Sequence, residues 1–192
     1  ETGIREGLRS QVLAFLPLAC LMYLLHKGRD NPKMFSWIPP LFFIWINLHG
    51  TFAFGVLVLG AFFASYFFEF KAYRKRLVTI GIITFLVTLW NPFTYHSYLE
   101  VIRHTGSPYL QNVFEWLPIY VNCNDCNVPV FSAYLIILIA AAIVKPQKSD
   151  IPYFLIVLGL TYQTVMARRY LPLFAISTFP LFLSLITRFK VN

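Results

Sequence analysis

The feature that most constrains this chain is a run of 35 residues, 34–68, that contains no Asp, Glu, Lys or Arg. As one straight helix it would measure about 52 Å, whereas the hydrocarbon core of a bilayer is about 30 Å thick. Basic segments flank it at residues 26–33 and 69–76. Because basic loops of membrane proteins face the cytoplasm, both ends belong on one side and the run must cross an even number of times. We therefore predict a helical hairpin that turns at residues 47–50, where Asn47 and Gly50 supply turn chemistry.

The composition extends this conclusion to the whole chain of 192 residues. Hydrophobic residues make up 58% and charged residues 12%, against about 45–50% and about 25% in soluble domains. These values exclude a soluble globular domain, a disordered chain and a disulfide-rich module. We predict an all-α polytopic bundle, one transmembrane domain over residues 1–192, with an outer-face loop at residues 93–127. About seven spans are expected: residues 11–25, 34–48, 51–68, 77–92, 128–144, 151–167 and 170–186.

The distribution of charge orients these spans. Eleven of the sixteen Lys and Arg residues, and three of the eight acids, fall on the side of the basic loops. That side therefore carries the whole formal excess of +8, while the other side is neutral. This arrangement is typical of cytoplasmic loops and not of a nucleic-acid surface, so we expect no nucleic-acid partner. Because the chain starts at Glu1 without a signal, we expect it to be a fragment of a longer protein.

Two adjacent arginines on the outer side oppose the charge trend. Arg168 and Arg169 lie between apolar segments, and Arg9 directly precedes the first span. Guanidinium groups suit bidentate binding of phosphate, although snorkelling to headgroup phosphates is the alternative. Neighbouring residues on a helix point about 100° apart, so we expect the pair not to face the same neighbour. One should point into the bundle, where Glu115 or an anionic headgroup can compensate it. We expect a polar cavity there that contains Arg168, Arg169, His49 and Glu115.

The other outer residues leave alternatives open. His49 either belongs to that cavity or is a turn histidine that satisfies freed backbone groups. Cys123 and Cys126 form a lone C-x-x-C motif, which we expect to pair or to stay free, without metal. The histidines lack the spacing of metal ligands, so we expect no metal site.

Several strings together resemble a known group of proteins. They are Leu-Arg-Ser-Gln at 8–11, Trp-Ile-Asn-Leu-His-Gly-Thr-Phe-Ala-Phe-Gly at 45–55, Asn-Pro-Phe at 91–93, Glu-Trp at 115–116, and Arg-Arg-Tyr-Leu-Pro-Leu-Phe at 168–174. These are similar to the C-terminal half of bacterial polytopic proteins related to the GT-C glycosyltransferases. Ser10 departs from a proline of that pattern and Thr51 from its second glycine.

The resemblance implies an inverting transferase of the bacterial inner (plasma) membrane that takes a sugar from a polyprenyl-phosphate carrier on the outer face. It places the catalytic acid in an outer loop upstream of Glu1, so no catalytic residue is assigned. Arg168, Arg169 and Arg9 would bind the lipid phosphate, and His49 and Glu115 would orient donor or acceptor. The expected partners are membrane lipid and the polyprenyl-phosphate-linked sugar, with no cofactor. The alternative is a non-enzymatic membrane protein, either a transporter or flippase or an accessory subunit.

Overall fold

The computed structural model describes residues 10–105, 109–110, 113–121, 128–144 and 147–190, and the regular structure in these ranges is all helical. This confirms the all-α fold class. The α-helices of these ranges are α1 (Ser10–Asp30), α2 (Ile38–Leu48), α3 (Phe52–Glu69), α4 (Arg74–Thr88), α5 (His96–Thr105), α6 (Val128–Val144), α7 (Ile151–Met166) and α8 (Leu171–Lys190). The chain divides into two compact units, Glu1–Ile102 and Arg103–Asn192.

The helix boundaries around the long apolar run follow from local chemistry. Before α2, a 3-10 turn at Pro32–Trp37 starts where the Asn31 side chain accepts a hydrogen bond from the Lys33 amide at 3.2 Å. Pro39 and Pro40 fall in the first turn of α2, where a missing backbone donor costs least. The helix ends because His49 is extended, with φ −162° and ψ 144°. Since α3 begins at Phe52, the break lies at the predicted turn.

The first unit closes this run into the predicted hairpin. The Arg29 guanidinium donates to Glu69 Oε1 at 2.6 Å, and Arg76 donates to Ser36 Oγ at 2.9 Å. These two bonds bring the basic segments on either side of the run to one end of the unit. We call residues 26–37 and 69–76 the basic end of the first unit.

Two close approaches shape the core of the first unit. The Trp45 ring is fully buried against Gly55, and the Phe35 ring is fully buried against Gly28. A Cβ atom at either glycine would lie within 2.5 Å of a ring carbon, so only glycine fits there. Fully buried aromatic and aliphatic side chains fill the rest of this core, among them Leu18, Leu21, Leu25, Ile38, Phe42 and Val58.

The second unit is built on α7 and α8, which are antiparallel neighbours. Arg188 near the end of α8 binds Asp150 just before α7, with Nη to Oδ distances of 2.8 and 2.7 Å. Helix α6 packs on α8 through the rings of Phe131 and Phe174, whose centroids are 5.3 Å apart. The Tyr134 hydroxyl also hydrogen-bonds the Thr178 hydroxyl at 2.9 Å.

Two described helices are long and apolar enough to cross a bilayer, judged by length and composition: Phe52–Glu69 and Arg168–Arg188. The apolar segment Val128–Ala140 is shorter. Large apolar side chains also lie on the surface, including Phe68 at 77% exposure and Leu158 at 80%. Two of the predicted spans, 51–68 and 170–186, therefore correspond to helices of spanning length. The count of seven spans stays a prediction.

Candidate functional site

Arg168 and Arg169 lie on a short turn between α7 and α8. Helix α7 ends because Ala167 is extended, with φ −153° and ψ 118°, and Arg168–Tyr170 then forms a single 3-10 turn. Both arginines are half-buried. We call these three residues the arginine turn.

A second 3-10 turn, Phe114–Trp116, packs against the arginine turn. We call it the tryptophan turn. Its Trp116 ring meets the Tyr170 ring edge-on, with centroids 6.2 Å apart. The chain after it is bonded to the end of α7 and the arginine turn, because the Ile119 amide donates to the Val165 carbonyl at 3.0 Å and the Arg168 amide donates to the Leu117 carbonyl at 3.2 Å.

Arg168 holds this loop in place. Its Nε donates to the Pro118 carbonyl at 3.3 Å, and one terminal nitrogen donates to the Val121 carbonyl. The guanidinium also lies over the Phe114 ring, 4.2 Å from its centroid. A charged donor that satisfies two backbone carbonyls and covers an aromatic face fixes the loop at both ends. Arg168 is therefore a positioning residue for the tryptophan turn.

Arg169 faces the other end of the same turn. Its guanidinium lies 4.0 Å from the centroid of the Trp116 ring. Arg168 and Arg169 thus lie over different aromatic rings of one turn, Phe114 and Trp116. Their side chains are long enough to reach different residues of one short turn, and the backbone there is a 3-10 turn and not an α-helix.

The structure also brings Glu115 to this place. Glu115 is the middle residue of the tryptophan turn and is half-buried. One carboxylate and two guanidinium groups thus lie on two contacting turns. That Glu115 compensates the charge of an arginine stays a prediction. Among ligand types, guanidinium groups suit an anion such as a phosphate ester.

His49 has a defined local role in the first unit. The Thr51 amide donates to His49 Nδ1 at 3.1 Å, and the Thr51 hydroxyl lies 3.2 Å from the same nitrogen. That hydroxyl also accepts a hydrogen bond from Trp45 Nε1 at 3.0 Å. In this arrangement His49 Nδ1 is the acceptor of a backbone N–H. The histidine therefore satisfies a backbone group at the start of α3, as the turn alternative supposes.

The remaining predicted site residues divide into two groups. Arg9, Cys123 and Cys126 lie outside the described residues. His49 belongs to the first unit, whereas Glu115 and the arginine turn belong to the second, so the shared cavity stays a prediction. Within the described ranges, no three His, Cys, Asp or Glu side chains form a group that could hold a metal ion.

Sequence reasoning did not predict that the guanidinium groups of the two arginines lie over aromatic rings, those of Phe114 and Trp116. It also missed the ion pair of Asp150 with Arg188, since both were assigned to separate basic loops. A usable signal was present, because an acid at the start of one helix faces a base at the end of its antiparallel neighbour.

Searches for related proteins give no independent identification: no family model, no curated protein and no solved structure matches this chain. The resemblance to the GT-C glycosyltransferases therefore stays a prediction from the motifs quoted above.

Proposed function

We propose that this chain is part of an inverting glycosyltransferase that takes a sugar from a polyprenyl-phosphate carrier, and that the arginine turn binds the carrier phosphate. The observation that carries the proposal is the cluster of Arg168, Arg169 and Glu115 on two contacting turns. The cluster stands at the start of Arg168–Arg188, a helix long and apolar enough to cross a bilayer. A phosphate bound there would have its polyprenyl tail beside an apolar helix.

The proposed roles follow from the contacts. Arg168 is engaged by the Pro118 and Val121 carbonyls, so it positions the tryptophan turn. Arg169 lies over Trp116 and provides the guanidinium for the phosphate, which bidentate donors bind well. Glu115 orients the sugar or its acceptor by accepting hydrogen bonds from hydroxyl groups.

In the proposed reaction the acceptor hydroxyl oxygen attacks the anomeric carbon, and the bond from that carbon to the phosphate oxygen breaks. An acidic base, to which no residue of this chain is assigned, takes the hydroxyl proton. The polyprenyl phosphate leaves with the electron pair of the broken bond. Its growing negative charge is stabilised by the cationic turn, which is the electrostatic effect that contributes most to many such reactions.

The proposed topology is that of a seven-span protein of the bacterial inner membrane with cytoplasmic basic loops. In the first unit, Arg29 and Glu69 place two basic segments at one end, as a common cytoplasmic side requires. The arginine turn would then face the periplasm, where lipid-linked sugars of this class are used.

Binding of a polyprenyl phosphate to the detergent-solubilised protein tests the phosphate site. Arg169→Ala should weaken binding about tenfold or more, because a hydrogen bond to a charged group contributes about 1.5–3 kcal/mol. The matched control is Lys148→Ala, an exposed cation of the same unit, which should leave binding unchanged. Unaltered binding by Arg169→Ala, with wild-type thermal stability, would contradict the proposed site.

The enzymatic step needs a separate assay. Membranes containing the full-length protein and a lipid-linked sugar should lose transfer when Arg168 and Arg169 are both replaced by alanine. Transfer at the wild-type rate by that variant would remove the role proposed for the arginine turn.

A further inference from the structure

The basic end of the first unit concentrates positive charge on one surface. Its two segments carry seven Lys and Arg residues and two acids: Lys27, Arg29, Lys33, Lys71, Arg74, Lys75 and Arg76, with Asp30 and Glu69. The hydrogen bonds of Arg29 to Glu69 and of Arg76 to Ser36 hold these segments together. The charge is therefore gathered by the fold and not only by sequence proximity.

The arginines and lysines of this surface have different surroundings. Besides those two bonds, Arg74 Nε donates to the Phe67 carbonyl at 2.7 Å, so all three arginines stabilise the fold. The lysines point to the surface, since all four, Lys27, Lys33, Lys71 and Lys75, are exposed. Four exposed ammonium groups around a fixed arginine framework form a surface suited to several anionic groups at once.

Aromatic side chains border the same surface. Trp37 is 64% exposed and belongs to the basic end, and Phe68, which is 77% exposed, directly precedes its second segment. Exposed tryptophan beside lysine and arginine is typical of the level at which a helix passes from hydrocarbon to headgroups. Phe68 lies one residue before the end of α3, one of the two helices of spanning length.

The segments at the other end of the same helices differ. Residues 47–51, after α2, and residues 89–95, after α4, contain no Lys or Arg. They also present exposed aromatic rings, including Trp90 at 75% and Phe93 at 69%. Exposed aromatic residues thus occur at both ends, whereas the lysine cluster occurs at one.

We propose that the basic end of the first unit binds the headgroups of anionic phospholipids, such as phosphatidylglycerol, in the leaflet that it faces. The exposed lysines attract the headgroup phosphates, while Trp37 and Phe68 contact the upper acyl chains. A lipid fits this surface better than a soluble polyanion, because the charges border exposed apolar side chains at the end of a helix of spanning length. Attraction of this kind acts on each lysine near a charged surface and falls off within a Debye length.

Quenching by brominated lipids tests the proposal. Phe68→Cys and, as the matched control, Trp90→Cys are labelled with a fluorophore in a chain whose Cys20, Cys123 and Cys126 are replaced by alanine. Each protein is reconstituted in phosphatidylcholine vesicles that contain a minor fraction of brominated phosphatidylglycerol or brominated phosphatidylcholine. The label at residue 68 should show an apparent preference for the anionic lipid of roughly fivefold, the change expected from one lysine attraction. The label at residue 90 should show none.

Replacing Lys27, Lys33, Lys71 and Lys75 with glutamine should abolish the preference at residue 68, and high salt should reduce it. Because all four lysines are exposed, the variant should keep the thermal stability of the parent, which is measured alongside. Equal preferences at residues 68 and 90, or a preference that survives in the glutamine variant, would overturn the proposal.

Discussion

Gly55 is the residue whose lack of a side chain allows the Trp45 ring to pack against helix α3. A Cβ atom at this position would lie 2.4 and 2.6 Å from carbons of the buried Trp45 ring. Gly55→Ala should therefore lower the free energy of unfolding by about 1–3 kcal/mol, the usual cost of overfilling a packed core. Thermal unfolding of the detergent-solubilised protein measures it.

Gly60 is the matched control for that change, because it lies on the same helix and a Cβ atom there would have nothing within 4 Å. Gly60→Ala should leave stability unchanged or raise it by up to about 1 kcal/mol, since alanine is the better helix former. Equal effects at the two glycines would show that Trp45 does not pack against Gly55 as described.

For the turn that follows Trp45, the sequence predicted the position but not the side-chain hydrogen bonds. Asn47 and Gly50 predicted the place of the turn correctly, because their turn chemistry is local. The bonds of Thr51 to His49 and Trp45 could not be predicted, since they depend on the extended backbone of His49. Thr51 was noticed only as a departure from the resembled motif, yet its hydroxyl connects two of that motif's residues.

Arg168 in the candidate site could likewise be identified from the sequence, whereas its hydrogen-bond partners could not. Its position against the charge trend singled it out in the sequence, and the structure places its guanidinium over the Phe114 ring. Its acceptors, however, are the carbonyls of Pro118 and Val121. Every residue has a backbone carbonyl, so no side-chain pattern could identify these two.

Helices α7 and α8 show how a pair of elements is fixed at one end. Asp150 is 1% exposed, and its carboxylate accepts two hydrogen bonds from Arg188 and one from the Gln147 amide at 3.1 Å. Breaking a buried pair leaves an unpaired charge, so Asp150→Ala should cost about 3–5 kcal/mol of unfolding free energy. Chemical or thermal unfolding of the solubilised protein measures this loss.

The control for that variant is Lys148→Ala, which alters an exposed neighbour in the same 3-10 turn and should change stability by less than about 0.5 kcal/mol. Combining Asp150→Ala with Arg188→Met should cost less than the sum of the two single changes, because no charge is then left buried alone. Strict additivity would mean that the pair does not act as a unit.

The lengths of the elements could be predicted only in part. The apolar run 151–167 corresponds closely to α7, and the run 51–68 to α3. The run 34–48 instead divides into a 3-10 turn, Pro32–Trp37, and the 11-residue α2. Hydropathy cannot separate a 3-10 turn from an α-helix, since both keep the same apolar residues and differ in their backbone hydrogen bonds.

For the whole molecule, the central expectation from sequence is a membrane bundle oriented by its charges. Helix α3 has 18 residues and is about 27 Å long, so the turn before it and the basic segment after it lie at opposite ends of that helix. Asn47→Cys and Lys71→Cys should therefore react with an impermeant thiol reagent from opposite sides of a sealed vesicle. Both positions are exposed, and labelling of both from one side would contradict the proposed crossing.

The most direct measurement on the proposed function is the site at which a photoreactive polyprenyl phosphate crosslinks to the full-length protein in its membrane. Our account predicts adducts on the tryptophan turn or the arginine turn, and their loss in Arg169→Ala. Lys148→Ala, at the opposite end of α7, should leave them unchanged. Adducts confined to the end of the second unit that holds Asp150 and Arg188, or adducts on the predicted turns that are unaffected by Arg169→Ala, would contradict the assignment of the phosphate to the arginine turn.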